Sequence, residues 1–131
     1  INDNQQIVSF DVESLFTNIP VSETIEIIIT RAFKNNESFH NMNKDDLKYL
    51  LTTCVKKSHF QFNDHFYDQV DGVSMGSPLG PLFANIFMDE FEKKHQKKLE
   101  ELGVHCWKRY VDDIFSIIDM GKSNEILQYL N

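Results

Sequence analysis

Apolar residues recur along this chain at two different spacings, and the switches between them mark its elements. Residues 6–11 (Gln-Ile-Val-Ser-Phe-Asp) form a short apolar run that stops at a carboxylate, the pattern of a buried strand. A loop through Thr17-Asn18-Ile19-Pro20 follows. Ile25, Ile28, Ile29 and Phe33 then return at helical spacing behind Glu23 and Ser22, a residue suited to an N-cap. That predicts a helix of roughly three to four turns. Asn35-Asn36-Glu37-Ser38 breaks it, and Asn43 is placed to cap a second helix, patterned by Leu47, Leu50, Leu51, Cys54 and Val55. Aromatic residues alternate on both sides of Asn63-Asp64, which predicts a hairpin over residues 59–67. A loop punctuated by Gly72, Gly76, Pro78, Gly80 and Pro81 leads into a long helix that ends near Gly103. Within it the run 92–98 (Glu-Lys-Lys-His-Gln-Lys-Lys) reads as a solvated polar face. Residues 104–110 begin a second hairpin, and Ser123 is placed to cap a last helix. This order predicts an α+β fold with helices packed on one face of an antiparallel sheet.

Composition narrows the class. With 131 residues, 41% of them hydrophobic and 11 of them Phe, the chain is one domain in size and has enough apolar mass for a core. No uninterrupted apolar run approaches the length that spans a bilayer, so no membrane partner is expected. The chain opens at Ile1 rather than Met, so it reads as a piece of a longer polypeptide with any targeting signal outside it. Cys54 and Cys106 lack a CxxC or Cys/His spacing and read as reduced, buried thiols. The five His are scattered, so zinc is not indicated. A net charge of −7 counts against nucleic-acid binding, although carboxylates that hold metal would be part of that charge.

The candidate chemistry lies in Tyr110-Val111-Asp112-Asp113-Ile114, where two adjacent carboxylates form the turn between β-forming runs. Neighbouring anions repel unless neutralised, and hard Mg²⁺ or Mn²⁺ prefers oxygen ligands. A solvated turn is the plain alternative. Asp45-Asp46 is a built-in control, since it falls in a helix's first turn, where carboxylates complement the macrodipole without metal. Asp11, at the end of its own apolar strand, is the best third ligand, although strand-end Asp is common. If the strands lie side by side, the three carboxylates converge at one sheet edge, where two metals about 4 Å apart would fit. Gly76 and Gly80 let backbone approach a substrate closely, or else build a tight helix-entry loop.

Together these residues resemble a reverse transcriptase palm, most closely that of Penelope-like retroelements. The likeness is carried by Phe10-Asp11-Val12-Glu13-Ser14-Leu15-Phe16-Thr17-Asn18-Ile19-Pro20, by Gly72-Val73-Ser74-Met75-Gly76-Ser77-Pro78-Leu79-Gly80-Pro81-Leu82-Phe83-Ala84-Asn85-Ile86, and by Tyr110-Val111-Asp112-Asp113. These look like the family's motifs A, B and C, in order over nearly the whole chain. The resemblance implies a ferredoxin-like, RRM-like core across residues 1–131, with the fingers mostly absent and the thumb and GIY-YIG endonuclease outside. It implies two Mg²⁺ or Mn²⁺ ions held by Asp11, Asp112, Asp113 and the Val12 carbonyl. Ser74, Met75 and Gly76 would contact the incoming nucleotide and template base. Phe16 would lie beneath the sugar and exclude a ribose 2′-hydroxyl, a core Phe being the rival reading. Ser74-Met75-Gly76 stands where many relatives carry Pro-Gln-Gly, and Met75 cannot reproduce the hydrogen bonds of a Gln amide. The implied activity is RNA-directed DNA synthesis from dNTPs on an RNA template and DNA primer, inside the cell and in the nucleus. The isolated segment is expected to lack activity of its own. A nucleotidyl cyclase, or a catalytically silent retroelement fragment serving as a binding module, are the competing readings.

Overall fold

A computed structural model of the protein describes residues 2–35, 37–56, 59–74 and 76–131. The chain divides into two compact units, Ile1–Glu13 with Phe91–Asn131, and Ser14–Glu90. The α+β class with antiparallel sheets is the one the hydrophobic pattern predicts.

The first unit is built on a three-stranded sheet with β5 (Asp113–Asp119) at its centre, between β1 (Gln5–Asp11) and β4 (Val104–Tyr110). Both pairings are antiparallel, and their registers place Val8 opposite Ser116, and Trp107 on the other side of Ser116. Side chains alternate between faces along a strand, so one face carries Val8, Phe10, Ile118, Ser116, Ile114, Val104 and Trp107. That face is covered. Leu99 from the end of α4 (Gly80–Glu101) and Ile126 from α5 (Ser123–Leu130) close a core with Val104 and Ile118. Phe10 and Trp107 stack within it at 5.9 Å between ring centroids. The opposite face leaves Ile7, Phe115 and Tyr110 exposed, so β1 is covered on one side only rather than buried as its apolar run predicts.

The second unit holds α1 (Leu15–Asn18), α2 (Val21–Ala32), α3 (Lys44–Lys56), the hairpin β2 (His59–Phe62) with β3 (His65–Asp68), and the start of α4. The hairpin turns at Asn63-Asp64 with φ of 52° and 60°, the doubly left-handed pair that a tight two-residue turn requires and that Asn and Asp tolerate. Asn43 caps α3 as expected: its Oδ1 accepts the Asp46 N–H at 2.8 Å, while Asp46 Oδ2 accepts the Asn43 N–H at 3.2 Å. α2 and α3 pack together, burying Ile25 and Ile29 on one and Leu47, Leu51 and Val55 on the other.

Several local expectations are corrected. Residues 15–18 form the short helix α1 within the predicted loop. Ser22 lies inside α2 and is not its cap; Pro20 precedes the helix in extended backbone, and the Asp71 carboxylate accepts the Val21 N–H at 3.4 Å and the Gly72 N–H at 2.9 Å. Ser123 is the first residue of α5, behind Lys122. Cys54 and Cys106 are free thiols, but Cys54 is exposed and Cys106 half-buried. Cys54 sits beside the 47/51/55 stripe rather than on it, as does the half-exposed Leu50. No helix among the described residues is long and apolar enough to cross a membrane.

Candidate active site

The register of β1 on β5 brings the carboxylates together. Asp11, the last residue of β1, pairs directly with Asp113, the first of β5, and Asp113 also pairs with Tyr110 across the hairpin. Paired residues share a face, so Asp11, Asp113 and Tyr110 stand in a row on the open side of the sheet. One step further, the Val12 N–H donates to the Asp112 carbonyl at 3.0 Å, extending the ladder into the turn and setting Asp112 beside Val12. Asp11, Val12, Asp112 and Asp113 thus occupy one end of two adjoining strands, as the sequence predicts for one sheet edge.

The turn itself is unusual in its backbone. Only Val111 of its two central residues has positive φ, at 57°, the pattern of a type II′ turn, whose first central position ordinarily takes Gly. A β-branched side chain in that region costs about 1–3 kcal/mol and persists only where neighbours enforce it. The two-residue hairpin enforces it, because only primed turns match the twist of the flanking strands, and Arg109 adds a hold on the next peptide by donating from Nη1 to the Val111 carbonyl at 3.1 Å. Arg109 is in turn gripped by Glu92 of α4 through Nε at 2.8 Å and Nη2 at 3.3 Å, and the Trp107 indole N–H donates to the same carboxylate at 3.0 Å. Reading the run 92–98 as a solvated face missed Glu92. Helical spacing places Glu92 with Met88, His95 and Leu99, so it falls on the buried stripe, where a carboxylate requires a cation.

Among the described residues, no side chain pairs with Asp11, Asp112 or Asp113, and Asp11 faces Asp113 across the strands as a like-charge pair. Nor do three His, Cys, Asp or Glu groups among the described residues converge closely enough to form a ready metal site. The donor chemistry nonetheless fits a hard divalent cation, because carboxylates and a main-chain carbonyl are all oxygen ligands. Mutual repulsion of uncompensated carboxylates opposes drawing them closer without a cation.

In the second unit, Phe16 is built into the glycine-rich loop. Its carbonyl accepts the Val73 N–H at 2.7 Å, and a Cβ added to Gly80 would meet the Ser74 carbonyl at 2.9 Å and the Phe16 ring at 3.5 Å. Gly80 is therefore required by packing inside the loop, not by approach of a substrate. Gly72, at φ 76°, is likewise required, since a Cβ there would overlap the Thr17 and Phe16 carbonyls. Gly76 differs, being exposed, and a Cβ there would make only ordinary contact with the Ser74 hydroxyl at 3.8 Å. Ser74 and Gly76 border a cleft of about 570 Å³ lined also by Thr17, His59, Phe60 and Val73. Met75 lies outside the described residues.

A carboxylate-bearing hairpin on an antiparallel sheet backed by helices is the architecture of a polymerase palm, and comparison with known proteins agrees. The profile of the family described as reverse transcriptase (RNA-dependent DNA polymerase) matches residues 1–130, and the chain belongs to that family. Apo telomerase from Candida tropicalis, truncated from its C-terminal domain, is similar with a TM-score of 0.68 and 18% identity, over 95% of this chain and 26% of its own. Telomerase from Candida albicans, in complex with a TWJ fragment of telomeric RNA, gives a TM-score of 0.75 and 14% identity, over 98% and 25%. At such identities the likeness is one of fold, and the chain spans about a quarter of either protein's length. A search of curated proteins found no match.

Proposed function

We propose that this chain is the palm segment of an RNA-directed DNA polymerase from a Penelope-like retroelement, joining a dNTP to a primer 3′-hydroxyl with release of pyrophosphate. The observation that carries this reading is the pairing of Asp11 with Asp113, with Asp112 brought beside Val12, inside a reverse transcriptase family domain. Asp11, Asp112 and the Val12 carbonyl would hold two Mg²⁺ or Mn²⁺ ions, with Asp113 completing the cluster. Such ions, when bound, lower the pKa of an attacking hydroxyl and neutralise the charge of a leaving pyrophosphate. Ser74, Met75 and Gly76 would border the incoming nucleotide, and Phe16, fixed by Val73 and Gly80, would present a rigid ring to its sugar. With a net charge of −7 this segment does not supply the phosphate-neutralising surface that an RNA template and DNA primer require; the reading assigns that surface to other parts of a longer polypeptide. Primer extension on an RNA template by the full-length polypeptide tests the proposal. Asp112→Ala is expected to abolish synthesis, and unchanged synthesis would overturn the mechanism.

The second reading is a catalytically silent, retroelement-derived binding module. The absence of three converged donors among the described residues favours it. Mn²⁺ binding that depends on Asp11, Asp112 and Asp113 would exclude it.

A further inference from the structure

Arg109 lies three and four residues before Asp112 and Asp113, and its side chain bonds to Glu92 and to the Val111 carbonyl on the other face of the sheet. Its place in the register explains why. Arg109 pairs with Ile114, on the covered face of the sheet, whereas Asp11 and Asp113 stand on the open face. The side chain is only 10% exposed, and its partner Glu92 23%. Glu92 takes two guanidinium edges in a fork, leaving Nη1 for the Val111 carbonyl. That carbonyl belongs to the peptide that leads into Asp112, and it is presented by a Val held at a φ of 57°. Releasing it frees the Val111–Asp112 peptide to turn about Val111 ψ and Asp112 φ, which redirects the Asp112 side chain.

We infer that Glu92 and Arg109 are positioning residues for the carboxylate site: Glu92 commits the guanidinium to the covered face, and Arg109 holds the strained Val111 carbonyl so that Asp112 is oriented for metal. This deepens the proposed function and rests on its assignment of Asp112 as a metal ligand. Two consequences follow from charge and geometry together. The Arg109 guanidinium is engaged on the covered face by Glu92, and the peptide leading into Asp112 is held by a hydrogen bond from beneath the sheet.

The test is Mn²⁺ binding, read from the loss of the free-ion electron paramagnetic resonance signal, with folding followed by circular dichroism. Asp112→Asn is expected to abolish the binding; if binding is unchanged, the metal reading itself fails and the positioning role falls with it. With that dependence in hand, Arg109→Lys and Glu92→Gln are each expected to weaken Mn²⁺ about 10-fold, the low end of losses for groups that orient metal ligands. Glu92→Gln preserves shape and decides the matter should Arg109→Lys fail to fold. Trp107→Phe, which removes another bond to Glu92, is expected to lower Tm while leaving Mn²⁺ affinity within about 2-fold, because it does not touch the turn. Wild-type affinity in a folded Arg109→Lys or Glu92→Gln protein overturns the inference. So does an equal loss in Trp107→Phe.

Discussion

The dipeptide Asp-Asp occurs at residues 45–46 and again at 112–113, and the two copies sit in opposite electrostatic surroundings. In the first turn of α3, Asp46 exchanges hydrogen bonds with Asn43, completing a cap. Lys48, held protonated above its ordinary range chiefly by its hydrogen bond to Glu26, also feels Asp45. That pair is used locally, Asp46 by the Asn43 cap and Asp45 by the field of Lys48. In the hairpin turn, Asp112 and Asp113 have no side-chain partner among the described residues, face a third carboxylate at Asp11, and follow a Val in a strained conformation. The difference teaches that paired carboxylates carry no chemistry by themselves. What matters is whether the local backbone has already used them.

Substitutions at the two copies should therefore separate cleanly. Asp112→Asn in the full-length polypeptide is expected to lower RNA-templated primer extension by at least about 100-fold, as for loss of a preorganised charge-stabilising group, whereas Asp45→Asn leaves it within about 2-fold. In stability the contrast reverses. Asp46→Ala is expected to destabilise the protein by about 1 kcal/mol in urea unfolding, because it breaks the reciprocal cap. Val111→Gly is expected to stabilise it by about 1 kcal/mol, since relief of the strained φ exceeds the entropy that Gly adds to the unfolded chain. Smallest, Asp113→Asn is expected to stabilise the metal-free protein by about 0.5 kcal/mol through loss of the cross-strand repulsion with Asp11. A destabilised Asp113→Asn protein would mean that the carboxylate already has a favourable partner.

How much of this was legible in sequence follows from how local each signal is. The Asn63-Asp64 hairpin, the Asn43 cap and the long helix to Gly103 each announce themselves within a few residues, through turn chemistry, capping or punctuation. The meeting of Asp11 with Asp113 spans most of the chain. Each stands at one end of an apolar strand, which points to their meeting, and the register pairs them, although no three donor groups among the described residues draw together into a metal cluster. α1 escaped notice because four residues are too few to show a helical period. Ser22 misled because the group that caps α2 is Asp71, far along the sequence. Gly80 is compatible in sequence with either substrate approach or a tight helix-entry loop, and the packing of Ser74 and Phe16 around it selects the second. Glu92 was hidden in a charged run, although its helical phase with Leu99 marked it as inward-facing.

The most direct test of the contrast between the two aspartate pairs is calorimetric titration of Mn²⁺ into wild-type, Asp112→Asn and Asp46→Asn proteins. Binding that survives in Asp46→Asn and disappears in Asp112→Asn is the predicted result. Binding of equal strength in all three would show that the hairpin carboxylates hold no metal, and would contradict the assignment of this hairpin as the catalytic edge of a polymerase palm.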